Sequence, residues 1–299
     1  MLDGTIRAHT RAESRTSTLR LDATRVAYLE RGQGEPLVLV HGSSSDYRTW
    51  DCVHARLAER FRAIAYSRRY HWPNAQIQEG ADYSMLEHEH DLEALVRALD
   101  AAPAHLVGHS YGGFLCLLLA IRRPALVRSL VLVEPPVFTL FTSSKPALGE
   151  LLSLLLTRPR TAIAIARFGA SGLSPATAAV ARGDTEAALE RFGRAVLGRA
   201  WFQRLSRERL EQARANFISA ELLGSGFSRL VDEDIRSLAC PVLLLNGAGS
   251  PSIFHHLNAR LAELLPSAQR VAIPRASHNV HEDNPAAWQA AVTEFLLRR

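Results

Sequence analysis

Residues 105–114, His105-Leu106-Val107-Gly108-His109-Ser110-Tyr111-Gly112-Gly113-Phe114, decide the fold. A short apolar run enters a turn rich in glycine, and a helical run, Phe114–Ile121, leaves it. Gly108-His109-Ser110-Tyr111-Gly112 fits the pattern G-x-S-x-G, in which a sharp strand-to-helix turn presents a serine hydroxyl at the top of a sheet. Small residues two before and two after the serine are needed because the strained turn brings neighbouring backbones close together. In isolation the pattern is weak. The strand before it and the helix after it make Ser110 a candidate nucleophile.

Outward from this turn, strand and helix signals alternate. Residues 18–31 read as two short strands, a hairpin at a sheet edge, and Leu37–Val40 as a strand ending in His41-Gly42. A helix is expected at 47–59, a strand at 61–66, and a helix at 84–100, opened by Ser84 with Glu87 three residues on as a capping box. Strands at 105–109 and 129–134 flank a helix at 111–122. From 138 to 228 no strand-like run occurs, only helical periodicity broken by Pro159, Gly169, Gly172, Pro175 and Gly183. Strands resume at 242–246 and 270–273, with helices at 252–265 and 285–298. Such alternation predicts an α/β fold with a mainly parallel sheet covered by helices on both faces. The expected organisation is a flexible N-terminus over 1–16, a core over 17–137 and 229–299, and a helical cap over 138–228 above the carboxyl ends of the strands, where ligands bind in open α/β sheets.

A nucleophilic serine needs a base and an anion-stabilising pocket. His278 follows the 270–273 strand in Ala276-Ser277-His278-Asn279-Val280-His281-Glu282, so its loop can bring an imidazole over the turn. Ser…acid…His is the chain order expected with this motif. His281 is the rival, read as a structural group at the start of the last helix. The backbone N–H of Tyr111 and that of Ser43, in the turn after the 37–40 strand, are the candidate oxyanion donors.

His41-Gly42-Ser43-Ser44-Ser45-Asp46, Gly108–Gly113 and Ser277–Pro285, in this order and at these distances, resemble the α/β-hydrolase superfamily over about 18–136 and 238–299. The resemblance implies that Ser110 and His278 are catalytic, that Ser43 and Tyr111 form the oxyanion hole, and that the helical block is a lid. In most such enzymes the acid follows the seventh strand. Here that segment, Asn246-Gly247-Ala248-Gly249-Ser250-Pro251, holds no carboxylate. Asp232, Glu233 and Asp234 precede the strand and would emerge at its wrong end. Glu134 ends the preceding strand at its carboxyl end, a position that some subfamilies use, and is assigned as the acid that orients His278. The alternative is that Glu134 only caps its strand before Pro135-Pro136.

A serine at the turn disfavours the dehalogenases and epoxide hydrolases of the superfamily, whose nucleophile is a carboxylate. It points to acyl transfer on an ester or lactone through an acyl-enzyme, with no cofactor and no metal. Carbon–carbon hydrolysis, thioester hydrolysis, cofactor-free perhydrolysis and a non-catalytic ligand-binding derivative remain as alternatives. Tyr70 and Trp72 either line the pocket entrance or pack beneath the lid.

Composition supports a globular, small-molecule enzyme. Hydrophobic residues make up 47% of the chain and charged residues 22%, enough for a sizeable core. The net charge of +5 is nearly all scattered arginine, without the basic block that nucleic-acid binding requires. The longest apolar run, Phe114–Ile121, is far shorter than the roughly 20 residues of a membrane helix. Cys52, Cys116 and Cys240 are odd in number and far apart, which fits a reduced, cytoplasmic setting. The oligomeric state is left open, a homodimer being one option.

Overall fold

The computed structural model describes residues 16–22, 24–143, 147–224 and 226–299. The expected flexible terminus lies outside them except for Thr16, which begins the first strand. Strands β1 (Thr16–Arg20) and β2 (Arg25–Arg31) form the edge hairpin, and β2 pairs antiparallel with β4 (Arg62–Tyr66). From there the sheet is parallel through β3 (Pro36–Val40), β5 (Ala104–His109), β6 (Val127–Val133), β7 (Val242–Gly247) and β8 (Gln269–Ile273). The eight strands lie in the order β1-β2-β4-β3-β5-β6-β7-β8.

The central strands are apolar at nearly every position because both faces of the sheet are covered. Val38, Val40, Ile64, Leu106, Leu130, Leu132 and Leu244 point to one side. There they meet α2 (Met85–Ala98), α3 (Tyr111–Arg122) and α12 (Ser252–Leu264). The alternate residues Leu37, Leu39, Ala63, Val107, Val131, Val133, Leu243 and Leu245 face the other side, where α1 (Asp51–Leu57) and α14 (Pro285–Leu296) pack. Each fully buried Val, Leu or Ile contributes roughly 1.5–3 kcal/mol, so β3, β5, β6 and β7 are the firmest support the molecule offers to side chains at their ends.

Between β6 and β7 lie α4 (Leu148–Thr157), α5 (Pro159–Phe168), α6 (Ser174–Ala181), α7 (Thr185–Leu197), α8 (Arg199–Phe202), α9 (Arg207–Ala215), α10 (Ser219–Leu223) and α11 (Asp232–Arg236). A short α13 (Val280–Asp283) precedes α14.

Two local expectations need correction. Gly169, Gly172 and Pro175 do not interrupt the helical block: one wider π-type turn over Gly169–Leu173 joins α5 to α6. Pro175 falls in the first turn of α6, directly after this wider turn. Nor does the capping box close at α2. Ser84 has the extended backbone of an N-cap but makes no side-chain cap bond, and Glu87 pairs instead with Arg69 at 3.1 Å.

Candidate active site

The turn at Ser110 is built by close backbone approach. Ser110 sits at φ +50°, ψ −121° between β5 and α3, and its N–H donates to the Val133 carbonyl of β6 at 2.8 Å. A Cβ at Gly112 would lie 2.2 Å from the Val40 carbonyl oxygen, and one at Gly108 would lie 2.5 Å from the Gly112 oxygen. Only glycine fits at either place. The left-handed serine costs of order 1–3 kcal/mol, and its neighbours on β3 and β6 hold it there.

Glu134 and His278 meet beside this turn. Glu134 directly follows β6, also at positive φ (+50°), and is fully buried. One carboxylate oxygen lies 2.7 Å from His278 Nδ1. The other accepts from Asn246 Nδ2 at 3.1 Å and from the Gly247 N–H at 2.9 Å. The end of β7 therefore supplies donors to the acid on β6. An acceptor at Nδ1 fixes the tautomer with the proton on Nδ1 and the lone pair on Nε2.

The loop carrying His278 is held from several directions. The Ser277 N–H donates to Asp283 at 2.8 Å, and His109 Nε2–H donates to the His278 carbonyl at 2.8 Å. Phe254 stacks on the imidazole with ring centroids 4.0 Å apart. Burial pushes the Asp283 carboxyl up to about 6 against the opposing pull of the Ser277 N–H. His109 titrates well below its ordinary value, chiefly because it is buried, so it stays neutral.

Ser110 and His278 open onto one cavity of about 50 Å³ together with Ser43 and Ser44. Apart from His109 and Asn279, its remaining wall is mostly apolar and comes from the helical block, with Phe192, Leu197 and Phe202 prominent and one cation, Arg209. Tyr111 is the first residue of α3, where helix geometry leaves the N–H without an intrahelical acceptor. Its ring packs against the Arg68 guanidinium at 4.4 Å and beside Tyr83. Tyr70 and Trp72 are not among the residues that line the cavity. Tyr70 joins Tyr83 and His88, and Trp72 lies under the Arg48 guanidinium at 3.7 Å. His281 is buried against Trp50 and bonded to Thr49 at 2.9 Å, and it too is absent from the cavity wall.

Three charged residues at the site went unnoticed in the sequence. Arg209 is gripped by Glu282 at 3.0 Å and reaches the Ser44 carbonyl at 3.3 Å. Glu221, buried on α10, accepts from the Ser43 hydroxyl at 2.8 Å and faces the buried Arg68 at 3.5 Å. Burial raises the Glu221 carboxyl above its ordinary value, with Arg68 opposing. The adjacent pair Arg68-Arg69, directly after β4, was the available signal. One arginine turns to Glu221 and the other to Asp91 on α2.

A family model described as the alpha/beta hydrolase fold matches residues 35–285, and the chain belongs to that family. The uncharacterized protein Rv2715 of Mycobacterium tuberculosis is 36% identical over 110 residues, a match that spans 37% of this chain and 32% of that protein. Over nearly the full length, the 2-(acetamidomethylene)succinate hydrolase of Mesorhizobium japonicum is 25% identical, covering 89% of this chain and 90% of that enzyme. Carboxylesterase CesB (YbfK) of Bacillus subtilis superposes with a TM-score of 0.70 at 20% identity, over 97% of this chain and 93% of its own. This last likeness is one of fold. No helix among the described residues is long and apolar enough to cross a membrane.

Proposed function

We propose that this chain is a serine hydrolase that cleaves a small carboxylic ester or lactone through an acyl-enzyme. One observation carries the reading: a serine on a strained strand-to-helix turn shares a cavity with a histidine whose Nδ1 lies 2.7 Å from a buried carboxylate. In the proposed cycle the Ser110 Oγ attacks the acyl carbon while His278 Nε2 takes its proton. Glu134 stabilises the resulting imidazolium, and the alkoxide leaves with the proton returned by His278. Water then repeats the sequence on the acyl-enzyme. The Ser43 and Tyr111 N–H groups receive the oxyanion in both halves.

The helical block serves as a cap whose apolar wall holds the acyl or alcohol part. The proposed partner is a small molecule in the cytoplasm, with no cofactor. The test is labelling by a fluorophosphonate probe, located on Ser110 by mass spectrometry, followed by p-nitrophenyl esters of rising chain length and a set of lactones. Absence of labelling and of turnover across that set would refute the proposal.

A further inference from the structure

Residues Ser43–Asp46, the proposed oxyanion loop, are held from the helical block almost residue by residue. The Ser43 hydroxyl donates to Glu221 at 2.8 Å, and the Ser44 carbonyl accepts from Arg209 at 3.3 Å. Asp46 accepts from Gln212 at 3.0 Å and from Asn216 at 2.7 Å. From the core side, the Ser45 carbonyl bonds His71 at 2.8 Å, and Asp46 accepts from the Arg48 N–H and guanidinium at 2.6–2.9 Å. All four outer grips come from one stretch, Arg209–Glu221, spanning α9 and α10. The loop needs them: Ser44 sits at φ +49°, a conformation that persists only where the surroundings over-determine it.

General docking of a helix does not account for this pattern. An apolar contact would seat α10 without burying a carboxylate, and burying a charge is costly unless it is paired and hydrogen-bonded. Glu221 is nonetheless placed where it meets one hydroxyl of the loop and the Arg68 guanidinium, which itself donates to the Gly42 carbonyl at 3.0 Å. Asn216, fully buried, also bridges two segments of the core: its side-chain nitrogen goes to Asp46 and its oxygen accepts from the Trp72 N–H at 2.8 Å.

We infer that Arg209–Glu221 positions the oxyanion loop, with Glu221 acting through the Ser43 hydroxyl, so that the anion-stabilising site is complete only while this part of the helical block is docked. The inference rests on the hydrolase reading above. Glu221 and Asn216 are positioning residues: they touch the loop and not the substrate. Undocking of this stretch would loosen Ser43, and the Ser43 N–H would return to aim on redocking.

A double-mutant cycle read by phosphonylation tests this without knowledge of the natural substrate. With a fluorophosphonate, the Ser110 Oγ–P bond forms, the P–F bond breaks and fluoride leaves, the serine proton passes to His278, and the phosphoryl oxygen occupies the oxyanion site. Outright loss of one oxyanion donor costs about 10²–10³-fold, so a donor that is misaimed and not lost should cost about tenfold. Glu221→Ala and Ser43→Ala should each slow the maximal labelling rate by about that factor, with the half-saturating probe concentration unchanged. The double variant should be no slower than the singles, because both act through one hydrogen bond. Glu221→Gln, which keeps an acceptor for Ser43, should recover most of the rate.

Should Glu221→Ala not fold, Ser43→Ala and Asn216→Ala carry the test, each losing maximal rate alone. Multiplied losses in the double variant would overturn the positioning role. So would a wild-type labelling rate in Ser43→Ala, or losses confined to probe affinity. No labelling of wild-type Ser110 would overturn the hydrolase reading itself, and this inference with it.

Discussion

Replacing Glu134 by Gln separates the charge of the acid from its shape. The Gln carbonyl can still accept from the Gly247 N–H and Asn246, which sit at 2.9 and 3.1 Å from one Glu134 oxygen. The amide nitrogen then takes the place of the oxygen 2.7 Å from His278 Nδ1. Two donors face each other, and the imidazole escapes by moving its proton to Nε2. That tautomer cannot accept from Ser110. The loss combines a hydrogen bond to a charged group, about 1.5–3 kcal/mol, with the lost stabilisation of the imidazolium and the price of the wrong tautomer. A total of about 3–5 kcal/mol corresponds to roughly 10²–10⁴ in kcat. The assay is steady-state turnover of any accepted p-nitrophenyl ester, with the melting temperature measured alongside. Because the donors from β7 stay satisfied, the melting temperature should move little. A folded Glu134→Gln protein within tenfold of wild type would refute the assignment. A larger loss from Asp283→Asn would refute it as well, since the Asp283 carboxyl accepts from the Ser277 N–H in the His278 loop.

Three further outcomes follow from the same geometry. Ser110→Ala should lower kcat by about 10⁴–10⁶-fold while leaving the urea midpoint nearly unchanged, because it trims one hydroxyl without opening a cavity. His281→Ala should do the reverse. It removes a buried ring stacked on Trp50, so stability should fall by about 2–4 kcal/mol while kcat at 20 °C stays within a few-fold; loss of turnover in a folded protein would name His281 as the base. Finally, burial holds His41 at about 3 and both His54 and His281 at about 4. The unfolded chain protonates them near 6.5, so it takes up protons that the folded chain refuses. Unfolding free energy should therefore fall as pH drops from about 6.5 to about 4, by about several kcal/mol. A flat profile in urea titrations over that range would contradict their burial.

The parallel sheet was legible because its strands are apolar on both faces and its helices carry a different period. Ser110 was legible because backbone crowding demands glycine at Gly108 and Gly112, and that demand is local. The expected approach of Glu134 to His278 came from an absence, the missing carboxylate after β7, joined to a spacing. Glu221, Arg209 and Asn216 were not legible. Each makes a bond to the Ser43–Asp46 loop, more than 160 positions away, and their own stretch has the mixed polarity of any helix surface. Tyr70 and Trp72 illustrate the same limit: an aromatic after a strand end can face the cavity or its neighbours, and the packing of Arg48 and Tyr83 decides.

The two halves of the site rest on supports of unequal strength. Glu134 and its donors sit at the ends of adjacent central strands locked in register from Leu130↔Val242 to Val133↔Leu245. The proposed anion-binding half hangs from side-chain bonds to short helices. Local openings in a protein begin where few buried apolar contacts hold the chain. On warming, the hydrogen-bonded His278–Glu134 pair should therefore outlast the proposed oxyanion loop. Activity would fade below the temperature at which the sheet melts, and cooling would restore it.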